Sequence, residues 1–140
     1  MLRRLLALPV VVAAAVALSA APAGATQAKG AGWDYKGSYD FINKGNEYYP
    51  YETNAVNSGG GSFKVCIGTS NTEDNWYVLK EWDPGANADE EVVSWWSGSG
   101  DSSGCKVISN LNKYVDGSNG RAEFYVGTQD PAAIHAQYWD

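Results

Sequence analysis

The chain is 140 residues long, with 10 Lys+Arg against 16 Asp+Glu, one His, two Cys and 18 aromatic side chains. One domain is the expectation at this length, and a sequence pI of about 4.6 argues against a protein that neutralises nucleic-acid phosphates. A single His and two Cys leave little material for a zinc site, a thiol protease or a redox dithiol.

Residues 1–25 read as a secretory signal peptide: Arg3 and Arg4 form a basic start, Leu5 to Leu18 is apolar apart from Pro9, and Ala23-Gly24-Ala25 supplies a small-x-small cleavage site. The apolar run is short for a membrane span and no second one follows, so no membrane partner is expected. Cleavage after Ala25 leaves 115 residues, removes Arg3 and Arg4, shifts the net charge from −6 to −8 and keeps every aromatic. Export also puts Cys66 and Cys105 in an oxidising compartment, where one intramolecular disulfide is the default.

Thr26 to Gly32 is polar and small, and a mobile start is expected there. Residues 26–62 then form an aromatic N-terminal segment with a Gly/Ser-rich connector: Trp33, Tyr35, Tyr39, Phe41, Tyr48, Tyr49 and Tyr51 lead to Ser58-Gly59-Gly60-Gly61-Ser62. Trp33 to Gly37 suggests a short strand and turn, and Asn43 to Glu47 a loop. Two readings of the segment stand side by side. It is either an extended arm that adds to a partner's sheet, or the first strands of the domain itself.

From residue 63 to 140 the pattern is that of a β domain. Phe63, Val65 and Ile67 alternate with Lys64 and Cys66; Trp76, Val78, Lys80 and Trp82 alternate with Tyr77, Leu79 and Glu81. Further β-like runs are Glu91 to Trp96, Cys105 to Ile108, Ala122 to Val126 and Ile134 to Trp139. Turn clusters at Asp83-Pro84-Gly85, Ser97-Gly98-Ser99-Gly100 and Asp116 to Gly120 separate them. The one helix candidate is a single turn near Pro131 to Ile134. An all-β fold is therefore predicted: a small antiparallel β-sandwich or barrel with one disulfide.

The chemistry expected is recognition more than catalysis. Asp83, Asp89, Glu90 and Glu91 flank Pro84 to Asn87, and such oxygen ligands suit calcium. The spacing is not that of an EF-hand loop, and a solvated acidic turn is the plainer reading, so no metal or cofactor is expected. His135 is the sole imidazole and lies in an alternating run with no Gly-x-Ser-x-Gly elbow in the chain, which argues against a triad. The Trp and Tyr content exceeds what one small core needs. Trp95 and Trp96 are adjacent, so on a strand they face opposite ways, and one becomes a platform for a sugar ring or a protein. Trp33, Tyr35, Tyr39, Phe41, Tyr48, Tyr49, Tyr51, Trp95 and Trp96 are thus the candidate binding residues.

One constellation resembles a known group. Cys66, Asp83-Pro84-Gly85-Ala86-Asn87, Cys105 and Tyr114-Val115-Asp116-Gly117-Ser118-Asn119-Gly120-Arg121-Ala122-Glu123-Phe124-Tyr125 resemble small secreted actinobacterial β-proteins. In size, signal peptide, disulfide and aromatic N-terminal segment the chain is similar to the adaptor subunit of secreted umbrella toxin particles, over residues 33–140. That resemblance implies a non-enzymatic bridge, with the β domain on a scaffold and the N-terminal segment on a lectin-bearing subunit. The expected partners are other secreted proteins. A carbohydrate-binding module and a small protease inhibitor are the alternatives.

Overall fold

The computed structural model describes residues 32–84, 89–97, 104–116 and 118–140. The expected signal peptide and the start at Thr26 lie outside the described residues, as do parts of the turns at Gly85 to Asn87, Gly98 to Gly100 and Gly117. Among the described residues no helix is long and apolar enough to cross a membrane.

Among the described residues ten strands follow in chain order: β1 Tyr35–Asp40, β2 Ile42–Asn43, β3 Tyr51–Glu52, β4 Val56–Ser58, β5 Phe63–Thr69, β6 Asn75–Glu81, β7 Glu90–Ser97, β8 Cys105–Ile108, β9 Ala122–Thr128 and β10 Ala133–Trp139. They form two antiparallel sheets. The first runs β1-β10-β5-β8, and the second runs β2-β3-β9-β6-β7 with β4 also on β9. The fold is all-β and sandwich-like, and the alternation that defines the strands also defines the two faces of each.

The inward rows meet as an aromatic core. Phe63, Val65, Ala136 and Tyr138 of the first sheet face Tyr77, Leu79, Phe124 and Val126 of the second. Phe63 packs on Phe124 with ring centroids 5.1 Å apart and on Tyr138 at 5.8 Å, and Trp95 stacks on Tyr77 at 6.1 Å. Tilted and offset ring pairs of this kind add to the burial of apolar area. Cys66 and Cys105 are directly opposed in the β5–β8 ladder and form the disulfide, which ties edge strand β8 to the sheet.

Residues 32–62 belong to these sheets. β1 pairs with β10, with a bulge between Tyr35 and Gly37, and β3 and β4 pair with β9. The Ser58 to Ser62 stretch, the expected Gly/Ser-rich connector, is fixed by polar contacts. Asp140 accepts from Ser58 Oγ at 2.7 Å and from the Gly59 N–H at 3.0 Å, and Asn112 Oδ1 accepts from the Gly61 N–H at 2.8 Å. Gly60 has φ +85, and a Cβ there would lie 2.6 Å from Asn112 Oδ1, so this position requires glycine.

The helical turn also differs from expectation. Pro131 is in a turn and β10 starts at Ala133, because Asp130 Oδ1 accepts the Ala132 N–H at 2.9 Å and closes the backbone there. A 3-10 turn forms instead at Leu111–Tyr114, after Asn110 at φ 64. Leu111 and Tyr114 lie three residues apart, so they fall on one side of such a turn and both reach the core.

Buried polar groups are paired. The Asp130 carboxylate is fully buried and accepts from Thr69 Oγ1 at 2.7 Å, Tyr77 OH at 2.8 Å and Asn71 Nδ2 at 3.3 Å, besides the Ala132 N–H. Burial alone pushes its pKa up, but these donors outweigh burial and hold it below the usual carboxylate value. Burial first, and then the same carboxylate, pushes the Tyr77 phenol up.

Candidate functional site

The outward row of β6 is Trp76, Val78 and Lys80, and Trp82 continues it one residue past the strand. The Trp82 N–H donates to the Glu123 carbonyl at 2.8 Å, so its backbone still follows β9. Pro84 stands two residues later, and proline cannot donate to the ladder, which suits the end of pairing there. Trp82 therefore sits on a rigid strand end with 46% of its surface exposed.

The neighbouring edge of β9 is shared by two short strands. β4 pairs with its first half and β3 with its second. Between them, Thr53 stays attached by donating its N–H to the Val126 carbonyl at 3.0 Å, while Asn54 and Ala55 are exposed. This interruption opens a groove of about 490 Å³ on the outer face, lined by Tyr125, Trp82, Glu52, Asp89, Glu123 and Lys44, with Asn54 and Asn57 at the break. A smaller depression of about 150 Å³ shares Trp82 and Glu123 and adds Asp116 and Asn119.

Each carboxylate of the groove is oriented by a donor. Asp89 accepts from Tyr125 OH at 2.6 Å and from the Asp83 N–H at 3.3 Å. Glu123 accepts from Asn119 Nδ2 at 2.7 Å, and Glu52 from Asn46 Nδ2 at 3.3 Å. Burial, the bond to Asp89 and the nearby charges of Glu52 and Asp89 all push the Tyr125 phenol up, so it stays neutral and keeps donating. A carboxylate offers about four lone-pair positions, so each retains capacity for a ligand.

Carboxylate oxygens of Glu81, Asp83 and Asp116 lie within 4.8 Å of one another, and Asp116 lines the depression that shares Trp82 and Glu123 with the groove. Glu81 is only 2% exposed. Its pKa is pushed from 4.5 to about 7, by burial first and then by the charges of Asp83, Asp116 and Glu123, against a weak bond from the Glu123 N–H. The acidic turn expected around Asp83, Asp89, Glu90 and Glu91 is thus divided: Asp83 joins Glu81 and Asp116, while Asp89 turns to Tyr125.

The nine aromatic residues singled out from sequence do not form one surface. Trp95 is 9% exposed and in the core, and its neighbour Trp96 is 63% exposed, edge-on to Trp76 at 5.1 Å. Tyr39 and Phe41 pack against the buried Tyr138 and Tyr77, at 6.1 and 6.2 Å. Trp33 and Tyr35 are exposed at the end of the first sheet, where Lys64 Nζ sits 4.2 Å from the Trp139 ring and 5.3 Å from that of Trp33. Tyr48 is exposed, Tyr51 is half-buried, and the half-buried Tyr49 lies over Gly127, where a Cβ would come within 3.0 Å of the tyrosine Cβ. The groove residues Glu52, Glu123, Tyr125 and Asp116 were not singled out. They come from separate elements, and only the surplus of Trp hinted at Trp82.

Residues 35–138 match the family described as YndA coiled coil domain. The chain is 38% identical over 98 residues to the Bacillus subtilis (strain 168) protein called "Uncharacterized protein YndA", an overlap of 69% of this chain and 66% of that one. It thus spans just under two thirds of that relative's length. No solved structure matches. The described part of the matched span is β-strand with one 3-10 turn and contains no α-helix, so the coiled coil of the family description has no counterpart among the described residues.

Proposed function

The chain belongs to the family described as YndA coiled coil domain, and from that premise we propose that it is a secreted, non-enzymatic binding protein whose contact surface centres on Trp82. The observation that carries this reading is the exposed indole held on a strand end beside an open groove with oriented carboxylates. Groups fixed in advance on a stapled two-sheet scaffold lose little freedom when a partner binds. Residues 1–25 and the Cys66–Cys105 disulfide support export.

The resemblance to adaptor subunits of umbrella toxin particles supplies the finer form of the proposal, a bridge between subunits of an extracellular complex. In that form the first sheet's aromatic end, with Trp33, Tyr35 and Trp139, offers a second contact surface away from the groove. A carbohydrate-binding role is the second reading. It is favoured by the Trp82 ring beside the amides of Asn54 and Asn57, a combination that suits ring stacking with hydroxyl recognition.

The test is capture from native culture supernatant by the wild-type protein and by Trp82→Ala, alongside a glycan array. The binding-protein reading expects a protein retained by wild type and by Trp96→Ala but lost with Trp82→Ala. Retention by Trp82→Ala overturns the placement of the surface. A glycan signal that depends on Trp82, without protein capture, transfers the assignment to the carbohydrate reading.

A further inference from the structure

We propose that the groove beside Trp82 receives a cationic side chain, an arginine or lysine presented by a partner protein. The inference rests on the binding reading above and names the chemistry of what binds. Three carboxylates, Glu52, Asp89 and Glu123, line the groove with the exposed indole, and Asp116 lines the adjoining depression that shares Trp82 and Glu123. Among the described residues none of these four forms an ion pair; Lys36 pairs with Asp140 instead. Of the cations nearby, Arg121 bridges Asp116 through the backbone and lines a separate depression that shares Ala55 and Asn57 with the groove. Lys44 lines the groove but directs its Nζ to the Thr53 carbonyl at 3.4 Å, and Lys80 places its Nζ 5.5 Å from the Tyr125 ring centre. Negative charge therefore exceeds positive charge around Trp82, and a ligand that restores the balance is cationic.

The ring arrangement points the same way. The face of an indole attracts a cation through its quadrupole, and the attraction grows as water is excluded. The charged groups of the groove are three carboxylates, which only accept, against the single ammonium of Lys44; Asn54 and Asn57 offer both donors and acceptors, and the Tyr125 hydroxyl already donates to Asp89. That excess of carboxylates calls for a donor-rich ligand. Guanidinium has five N–H donors in a planar fork, fits a carboxylate in two places and stacks on an aromatic face, so arginine is expected to bind more tightly than lysine. A groove of about 490 Å³ has room for such a side chain with part of its flanking backbone.

The experiment uses N-acetyl-arginine amide as probe and N-acetyl-citrulline amide as its neutral isostere, read by nitrogen–proton NMR of the purified protein. The expected result is a saturable shift of the Trp82 indole N–H and of the Asn54 and Asn57 side-chain amides with the arginine probe. Citrulline amide should bind at least tenfold more weakly. The double variant Glu52→Gln/Glu123→Gln should weaken the arginine probe at least tenfold while its remaining spectrum stays that of the folded protein. Trp82→Ala, at a half-exposed position, serves as the second variant and should weaken it too. Equal responses to the two probes overturn the proposal. So does a response of these resonances to calcium chloride or to a neutral oligosaccharide with none to the arginine probe, which assigns the groove to a metal ion or a sugar. Trp82-dependent protein capture without arginine binding removes this inference and leaves the binding reading standing; absence of both removes both.

Discussion

Glu81 should make this domain less stable as pH rises, and Glu81→Gln should abolish the effect. Glu81 faces inward at the end of β6, almost wholly buried, with three other carboxylates near and a single weak donor, the Glu123 N–H at 3.5 Å. Below pH 4.5 the folded and unfolded chains both hold its proton, so it costs nothing. Between 4.5 and about 7 the unfolded chain releases the proton and the folded chain keeps it. The unfolded state then binds fewer protons, and stability falls with pH until the folded group also ionises. At about 1.4 kcal/mol per pKa unit, the full loss above pH 7 is about 3 kcal/mol. For a domain of this size that is on the order of 10 °C in melting temperature. The assay is unfolding in urea followed by Trp fluorescence at pH 4.5, 6 and 8.5. Wild type and Glu81→Gln should be nearly equal at pH 4.5, and the variant should be the more stable by about 3 kcal/mol at pH 8.5. Parallel pH profiles for the two proteins would refute the reasoning.

Asp130 has the opposite sign. Its donors hold its pKa below 3.8 in the folded state, so its contribution is full above that value and is lost as pH falls through the lowered one. Asp130→Asn puts an NH₂ group among four donors, and urea unfolding at pH 7 should show a loss of about 2–4 kcal/mol, with a flatter acid limb than wild type. Removing the disulfide with Cys66→Ser/Cys105→Ser frees a loop spanning 39 residues, and should lower stability by about 4 kcal/mol, matched by reduction of the wild type. Trp95→Ala, in the core, should cost about 3–5 kcal/mol. Trp96→Ala should cost under about 1 kcal/mol in the same urea unfolding, and equal losses for the two would contradict the register of β7.

From residue 63 onward the strands were legible because each lies between one inward and one outward row, and the pleat writes that into the chain as alternation. Cys105–Ile108 coincides with its expected run, and Trp95 and Trp96 divide between core and solvent as adjacent strand residues must. Residues 33–62 resisted because their strands are two to six residues long, and β1, β3 and β4 owe their pairing to β10 and β9, some 60–100 residues away. The same distance hid the role of Ser58 to Ser62. Glycine-rich composition signals flexibility only where nothing holds the backbone, and here Asp140 and Asn112 hold it.

The acidic composition shows the limit most clearly. Along the chain the carboxylates are scattered among turns, which suggests a general aid to solubility. In space, Glu52, Asp89 and Glu123 line one groove with Trp82, Asp116 lines the depression beside it, and Asp116 also meets Glu81 and Asp83. The gathering depends on β9 lying between β6 and the β3–β4 edge, so that Glu123, Glu81 and Glu52 come from three adjacent strands and Asp116 from the turn leading into β9. Burial first, and the neighbouring charges after it, oppose ionisation of Glu81, as its raised pKa records. Those charges also give a cation a reason to bind there. The two effects are linked: a positive charge in the groove favours the ionised form of Glu81, so binding should draw its pKa back down and recover part of the stability lost above pH 7. A melting temperature at pH 8.5 that rises with N-acetyl-arginine amide in wild type, and rises less in Glu81→Gln, would show that linkage. Equal rises in both would place the cation away from Glu81.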